Sequence, residues 1–170
     1  MTRDELLDAF RPLLGERLTI ARRAGAMRVF HFGDVVEHVD GSTGAFALHL
    51  QCPWRIDGRD GTVTGSDDLW VHASVPNPPE EWSYEDGNSL QDRRLGELLD
   101  SYDPRTRSWM NRSERLVVAS IDGSDRGDVV IGLTGDHTLR VFPARSGDES
   151  WRLFRPRHED AHFVFGEAEA

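Results

Sequence analysis

The segment Gly44-Ala45-Phe46-Ala47-Leu48-His49-Leu50-Gln51-Cys52-Pro53-Trp54-Arg55-Ile56 decides how we interpret the fold of this chain. Its apolar residues Phe46, Leu48 and Leu50 recur with a period of two, which is typical of a half-buried β-strand. Pro53 ends the strand because proline has no N–H to donate to a neighbouring strand. The segment therefore predicts a strand that carries the chain's single cysteine and leads directly into the pair Trp54-Arg55.

Two other segments carry leucine and phenylalanine at helical spacing. Residues 2–14 predict an N-terminal helix, in which Thr2 and Glu5 form a capping box. Residues 90–101 predict a central helix that Ser89 or Asn88 caps and that Asp103-Pro104 ends.

Alternating apolar runs elsewhere in the chain predict further strands. The turn at 24–26 joins the first two in a hairpin, and a turn at 40–44 joins the third to the segment at 46–50 in a second hairpin. Short glycine-containing turns predict an antiparallel meander after residue 116. A proline-rich loop occupies 76–81. The predicted strands are 18–23, 27–32, 35–39, 69–75, 116–121, 129–133, 138–142, 151–154 and 163–165.

These elements predict an α+β fold with one β-rich domain over residues 1–170. We expect a twisted antiparallel sheet or a partly closed barrel, with the N-terminal helix and the central helix. The length of 170 residues suits a single domain with a real core. A weak similarity between 44–56 and 135–153 predicts an internal duplication of a β unit, and chance similarity between strands is the alternative.

Composition excludes several classes of function. The net charge of −10 repels phosphate backbones and predicts no nucleic-acid binding, whereas it would attract a basic protein partner or simply maintain solubility. All 20 basic residues are arginine, so Schiff-base, Walker-A and protein-kinase lysines are absent. One cysteine excludes an internal disulfide. Without a long apolar run or an N-terminal secretory signal, we expect a cytoplasmic protein that does not bind membranes.

A metal-site motif lies near the C-terminus, where His158-Glu159-Asp160-Ala161-His162 matches H-E-x-x-H. On a helix the two histidines share a face and bind zinc, while the glutamate acts as general base. The alternative is a polar turn that leads into a terminal strand. On a strand, the two histidines would lie roughly 13 Å apart, too far to share one ion. A divalent metal here is the one cofactor we consider, and otherwise none is expected.

Two further candidates for catalysis lie in the first half of the chain. Cys52 is a candidate nucleophile with His49 or His31 as its base and Arg55 nearby, or else a small buried apolar residue. Asp67 and Asp68 are candidates for cation binding or acid–base catalysis, or else form a turn.

Candidate binding residues combine tryptophan, arginine and aspartate. The pairs Trp54-Arg55 and Trp151-Arg152 have the composition of interface hot spots, although tryptophan also fills the core of β-rich domains. Asp92 and Arg93, near the start of the central helix, either pair with Asp67-Asp68 or are simply solvated.

Several runs resemble a pattern in small uncharacterised proteins from actinobacteria. The resemblance spans nearly the whole chain after the first helix. It implies a single fold in a bacterial cytosol and implies no activity. The runs that carry it are 24–27, 30–33, 48–55, 65–69, 151–154 and 162–164.

Two hypotheses of function follow. The first is a non-enzymatic binding module, immunity-like or regulatory, that binds a protein partner. The second is a small-molecule-binding or metal-assisted hydrolytic enzyme that uses Asp67, Asp68 and a histidine. A deep pocket where these groups converge would favour the enzyme, and a flat acidic face with exposed tryptophan or arginine would favour the binding module.

Overall fold

The computed structural model describes residues 1–160 and 162–166, which form two antiparallel sheets, a two-stranded ribbon and two α-helices. The α-helices are α1 (Arg3–Phe10) and α2 (Leu90–Leu99), and 3₁₀ helices span Arg11–Leu13, Ser66–Trp70 and Tyr84–Asp86. The strands are β1 (Leu18–Ala24), β2 (Met27–Phe32), β3 (Val36–His38), β4 (Gly41–Thr43), β5 (Phe46–Leu50), β6 (Trp54–Gly58), β7 (Gly61–Gly65), β8 (Asp100–Asp103), β9 (Ser108–Asn111), β10 (Val118–Gly123), β11 (Val129–Leu133), β12 (His137–Val141), β13 (Trp151–Phe154) and β14 (Phe163–Phe165).

The α+β prediction is confirmed, with an N-terminal and a central helix on antiparallel sheets. One sheet has the order β14-β13-β5-β2-β1-β9-β8 and the other β10-β11-β12-β6-β7, while β3 and β4 form the ribbon. Neither sheet closes into a barrel, so the alternative of a partly closed barrel is wrong. None of the helices within the described residues is long and apolar enough to cross a membrane.

One hydrophobic core joins both sheets and both helices. The rings of Phe30 on β2 and Trp54 on β6 meet edge to face at 5.1 Å, which links the two sheets. Phe10 of α1 packs in the same way on Trp151 of β13, at 5.3 Å. Thr2 and Glu5 form the predicted capping box, because the Thr2 hydroxyl accepts from the Glu5 N–H and the Glu5 carboxylate accepts from the Thr2 N–H.

Two crossings between the sheets lie side by side. The chain passes from β5 to β6 through 51–53 and from β12 to β13 through 142–150, and β5 pairs with β13 while β6 pairs with β12. The Gln51 N–H donates to the Ser150 carbonyl and the Phe142 N–H to the Pro53 carbonyl, each at 2.8 Å. The two similar units therefore pair antiparallel with each other, and their origin by duplication stays a prediction.

Two predicted strand assignments are wrong. Residues 35–39 do not form a hairpin with 46–50, because β3 pairs with β4, within the segment that the sequence assigned to a turn. Residues 69–75 are not a strand, since the chain leaves β7 through the 3₁₀ helix Ser66–Trp70. The Thr64 hydroxyl donates to the Asp68 carboxylate at 2.9 Å and stabilises this turn.

The central helix is shorter than the predicted range of 90–101. It ends at Leu99 because Asp100 adopts a left-handed backbone conformation with φ of 69° and begins β8. Ser89, rather than Asn88, is its N-cap, and its hydroxyl accepts from the Asp92 N–H at 3.0 Å. Strands β6, β7, β8 and β9 were not predicted.

Candidate functional site

A cleft of about 940 Å³ opens beside α2, and its wall is a continuation of the core face of the larger sheet. Phe32 and Phe30 of β2 point into the core, and Arg28 follows them in the same alternation. On β1, Arg23 follows the core residue Ala21 in the same way and lies directly opposite Arg28. Near the β1–β2 turn, the core face of the sheet therefore carries two arginines instead of apolar side chains.

Arg28 is the central residue of the cleft. Its side chain is only 2% exposed, and its Nε is buried without a hydrogen-bond partner among the described residues. Burial lowers the pKa of Arg28 to about 9, with Asp92 opposing the shift, so the guanidinium remains a cation at neutral pH. A buried cation with an unused donor is costly unless an acceptor is supplied.

Gln91 fixes the position of Arg28. The Gln91 side chain is 2% exposed, and its Oε1 accepts from Nη2 of Arg28. Its Nε2 donates to the carbonyl of Gly65 at 2.7 Å and to that of Ser66 at 3.3 Å. The amide orientation is unambiguous, because a guanidinium only donates and a carbonyl only accepts. The network ties the guanidinium to α2 and to the turn after β7.

Asp92 is the acidic neighbour of both arginines. Its Oδ1 lies 3.7 Å from Arg28 Nη2 and 3.9 Å from Arg23 Nε. Both distances are longer than a hydrogen bond, so the carboxylate attracts the arginines without saturating their donors. Arg23 is fixed instead by the carbonyls of Gly25 and Tyr84, and its guanidinium lies over the Tyr84 ring at 5.5 Å.

Two aromatic rings form a wall of the cleft on the same face of the sheet as the two arginines. Trp109 of β9 and Tyr102 of β8 are cross-strand neighbours, and their ring centroids are 4.7 Å apart. Tyr102 remains 48% exposed. Gly96 of α2 allows the helix to approach the indole, because a Cβ at this position would lie 2.8 Å from a Trp109 ring carbon. The planes of the two rings are tilted by 52°, so the cleft offers an angled aromatic surface beside a cationic floor.

The charge of the cleft is opposite in sign to that of the whole chain. Its lining contains four arginines (Arg23, Arg28, Arg93 and Arg107) and three carboxylates (Glu85, Asp86 and Asp92), so four positive minus three negative charges leave +1. The protein as a whole carries −10. Arg107 is exposed and makes no ion pair or side-chain hydrogen bond with the described residues.

Of the predicted binding residues, Asp92 and Arg93 line this cleft. Arg93 donates to the Ala73 carbonyl at 2.8 Å and lies 3.9 Å from Glu97. Asp67 and Asp68 lie in the neighbouring 3₁₀ helix Ser66–Trp70 and do not contribute to the described lining of the cleft.

Cys52 lies in the core at the crossing between β5 and β6. It is 9% exposed, and burial raises the pKa of its thiol to about 12, so the thiol is protonated at neutral pH. Burial lowers the pKa of His49 and lowers that of His31 to about 3, and Nδ1 of His31 accepts from the Gly44 N–H at 3.1 Å. These surroundings are those of structural residues rather than of a thiolate and its base.

The two tryptophan–arginine pairs divide between core and surface. Trp54 is 4% exposed and Trp151 0%, and the Trp151 indole N–H donates to the Gly127 carbonyl at 2.8 Å. Arg55 points outward, with ion pairs to Asp57 and its guanidinium over the Phe142 ring. Arg152 pairs with Glu149. The tryptophans therefore stabilise the core, and only the arginines of the two pairs reach the surface, where each is ion-paired.

The two histidines of the H-E-x-x-H motif are not on a helix. Residues 155–160 contain a turn at Pro156-Arg157 and no helix, Ala161 lies outside the described residues, and His162 directly precedes β14. The His162 ring stacks on Phe154 at 4.5 Å and hydrogen-bonds to Arg152, while His158 is exposed. Within residues 1–160 and 162–166, no three histidine, cysteine, aspartate or glutamate side chains converge as metal ligands.

Three residues that line the cleft, Arg28, Tyr102 and Trp109, were not singled out from the sequence, and neither was Gln91, which positions Arg28. For Arg28 a signal existed, because Phe32, Phe30 and Arg28 occupy one face of a single strand. A charged residue in the buried phase of a strand needs a partner or a function.

Comparisons of this chain with protein-family models, with curated proteins and with solved structures found no match. The similarity to small actinobacterial proteins therefore stays an expectation from the sequence.

Proposed function

We propose that this protein is a non-enzymatic binding module that holds a small anionic molecule in the arginine-lined cleft. The observation that carries the proposal is Arg28, a cation that is 2% exposed, lines the cleft and keeps a buried Nε without a partner among the described residues. Buried arginines of this kind are typical of sites that bind carboxylate or phosphate groups.

The composition of the cleft supports binding rather than catalysis. The described lining has neither a histidine nor a cysteine, and Asp67 and Asp68 lie outside it. A volume of about 940 Å³ is within the range of small-molecule sites. The predicted basic protein partner remains part of this proposal, without a surface assigned to it. The cytoplasmic location, which the single cysteine favours, also remains part of it.

An NMR titration tests the proposal. The ¹⁵N-labelled protein is titrated with acetate, benzoate, inorganic phosphate, sulfate and phenyl phosphate, with sodium chloride at matched ionic strength as the reference. We expect at least one anion to cause saturable shifts of the side-chain N–H signals of Arg23, Arg28 and Trp109. Arg28→Gln will abolish the shifts and Arg107→Gln, on the rim, will weaken binding three- to tenfold.

The matched control is Arg126→Gln, which removes an exposed arginine from the β10–β11 turn, outside the cleft. It will bind as the unmodified protein does. If every anion only reproduces the effect of chloride, or if Arg126→Gln weakens binding as much as Arg107→Gln, the cleft is not an anion site and the proposal fails.

A further inference from the structure

We infer that the ligand of this cleft is a planar monocarboxylate, whose carboxylate is held by Arg28 and Arg23 and whose ring packs on Trp109 and Tyr102. The inference rests on the proposed function and adds the chemical class of the ligand. Three features of the cleft support it: its net charge, the geometry of its donors, and its aromatic wall.

The net charge favours an anion with one negative charge. Arg23, Arg28 and Asp92 at the floor sum to +1, and so does the whole described lining. A phosphate ester carries close to two negative charges at neutral pH, so one would remain uncompensated next to Glu85 and Asp86, in a protein of charge −10. The negative field of the whole protein, with its net charge of −10, also repels polyanions, which excludes nucleic acid and acidic proteins as occupants.

The donors suit a flat, two-oxygen acceptor. Arg23 and Arg28 face each other across β1 and β2, and like charges in this position repel unless an anion lies between them. Asp92 meets that need only in part, at 3.7 and 3.9 Å. A guanidinium binds a carboxylate through two parallel N–H···O bonds, which a lysine cannot reproduce.

The aromatic wall favours a ring on the ligand. Tyr102 is 48% exposed beside Trp109, and both line the cleft. Burying a ring against them removes apolar surface from water and adds the preference of aromatic groups for stacked or edge contacts. Helix α2 packs closely on the six-membered ring of the indole at Gly96, which restricts the position of the ring.

Isothermal titration calorimetry at pH 7.5 and constant chloride tests the inference with four compounds. Benzoate has both features, acetate lacks the ring, benzamide lacks the charge, and phenyl phosphate replaces the carboxylate. We expect benzoate to bind at least tenfold tighter than acetate or benzamide and at least threefold tighter than phenyl phosphate. Arg28→Lys, which keeps the charge but loses the fork, will weaken benzoate binding about tenfold.

Variants of the wall separate the ring from the charge. Trp109→Leu and Tyr102→Ala will lower the affinity for benzoate and leave that for acetate unchanged, whereas Phe142→Leu, an aromatic residue outside the cleft that packs under Arg55, will change neither. Any of three results overturns the inference and leaves the proposed anion site intact. These are tighter binding of phenyl phosphate than of benzoate, equal binding of acetate and benzoate, and an unchanged ratio of benzoate to acetate affinity in both wall variants. Failure of every anion to bind overturns both.

Discussion

Replacement of His31 by asparagine will flatten the pH dependence of stability between pH 7 and pH 5. His31 lies on β2, 5% exposed, and its Nδ1 accepts from the Gly44 N–H at 3.1 Å, so the native ring is neutral. Burial, followed by the nearby charges of Arg22 and His49, lowers its pKa to about 3. The asparagine oxygen can accept the same hydrogen bond but does not titrate.

The sign and size of the effect follow from proton linkage. An unfolded histidine has a pKa of about 6.5, so below pH 7 the unfolded chain binds a proton that the native protein excludes. This contribution to stability is present above pH 6.5 and is lost as the pH falls towards the native value of about 3. Below pH 6.5 the free energy of unfolding falls by ~1.4 kcal/mol for each pH unit. The interval from pH 7 to pH 5 contains about one and a half such units, so the loss there is about 2 kcal/mol.

Urea unfolding at pH 7, 6 and 5 measures the effect. His31→Asn will lower stability at pH 7, because the ring leaves a cavity, but will lose about 2 kcal/mol less than the unmodified protein between pH 7 and pH 5. Some dependence will remain, since burial also lowers the pKa of His49. His158→Asn, at an exposed position, is the control and will keep the original slope. An equal slope in His31→Asn would refute the reasoning.

Three further outcomes are expected. Ser89→Ala removes the N-cap of α2 and will lower the free energy of unfolding by about 1 kcal/mol in urea titrations, whereas Asn88→Gly, one residue earlier at a φ of 60° that glycine tolerates, will cost less. Gly96→Ala gains about 1 kcal/mol of helix propensity but places a Cβ 2.8 Å from a Trp109 ring carbon, so it will lower the melting temperature of the protein. In a Trp109→Leu background, where this clash is absent, the same substitution will raise the melting temperature. Cys52, with a pKa of about 12, will react with iodoacetamide at pH 7.5 only after unfolding; rapid native labelling would contradict its burial.

Much of the fold could be predicted because apolar residues alternate along several strands, and in β11 and β13 burial follows the same period of two. The strands at 27–32, 129–133, 151–154 and 163–165 lie where the alternation placed them. The pattern failed at 69–75, where two hydrogen bonds decide the backbone: the Thr64 hydroxyl donates to the Asp68 carboxylate and the Val71 N–H donates to the Asp68 carbonyl. Hydrophobic alternation carries no information about such local polar contacts.

The site was harder to predict because its residues come from distant parts of the chain. Asp92 was identified from its position on the helix, but the hairpin of β8 and β9 that supplies Tyr102 and Trp109 was not. Its first strand, Asp100–Asp103, is polar and overlaps the end of the predicted helix. Arg28 gave a readable signal, a charge in the buried phase of β2, whereas its contact with Gln91 spans 63 residues and only the fold reveals it.

The paired crossings have a consequence for how the molecule melts. The Gln51 and Phe142 amides each donate a hydrogen bond to a carbonyl on the opposite crossing. The two sheets therefore cannot separate without breaking these two hydrogen bonds. The protein should therefore unfold as one cooperative unit, and these two amides should exchange with deuterium only through global opening.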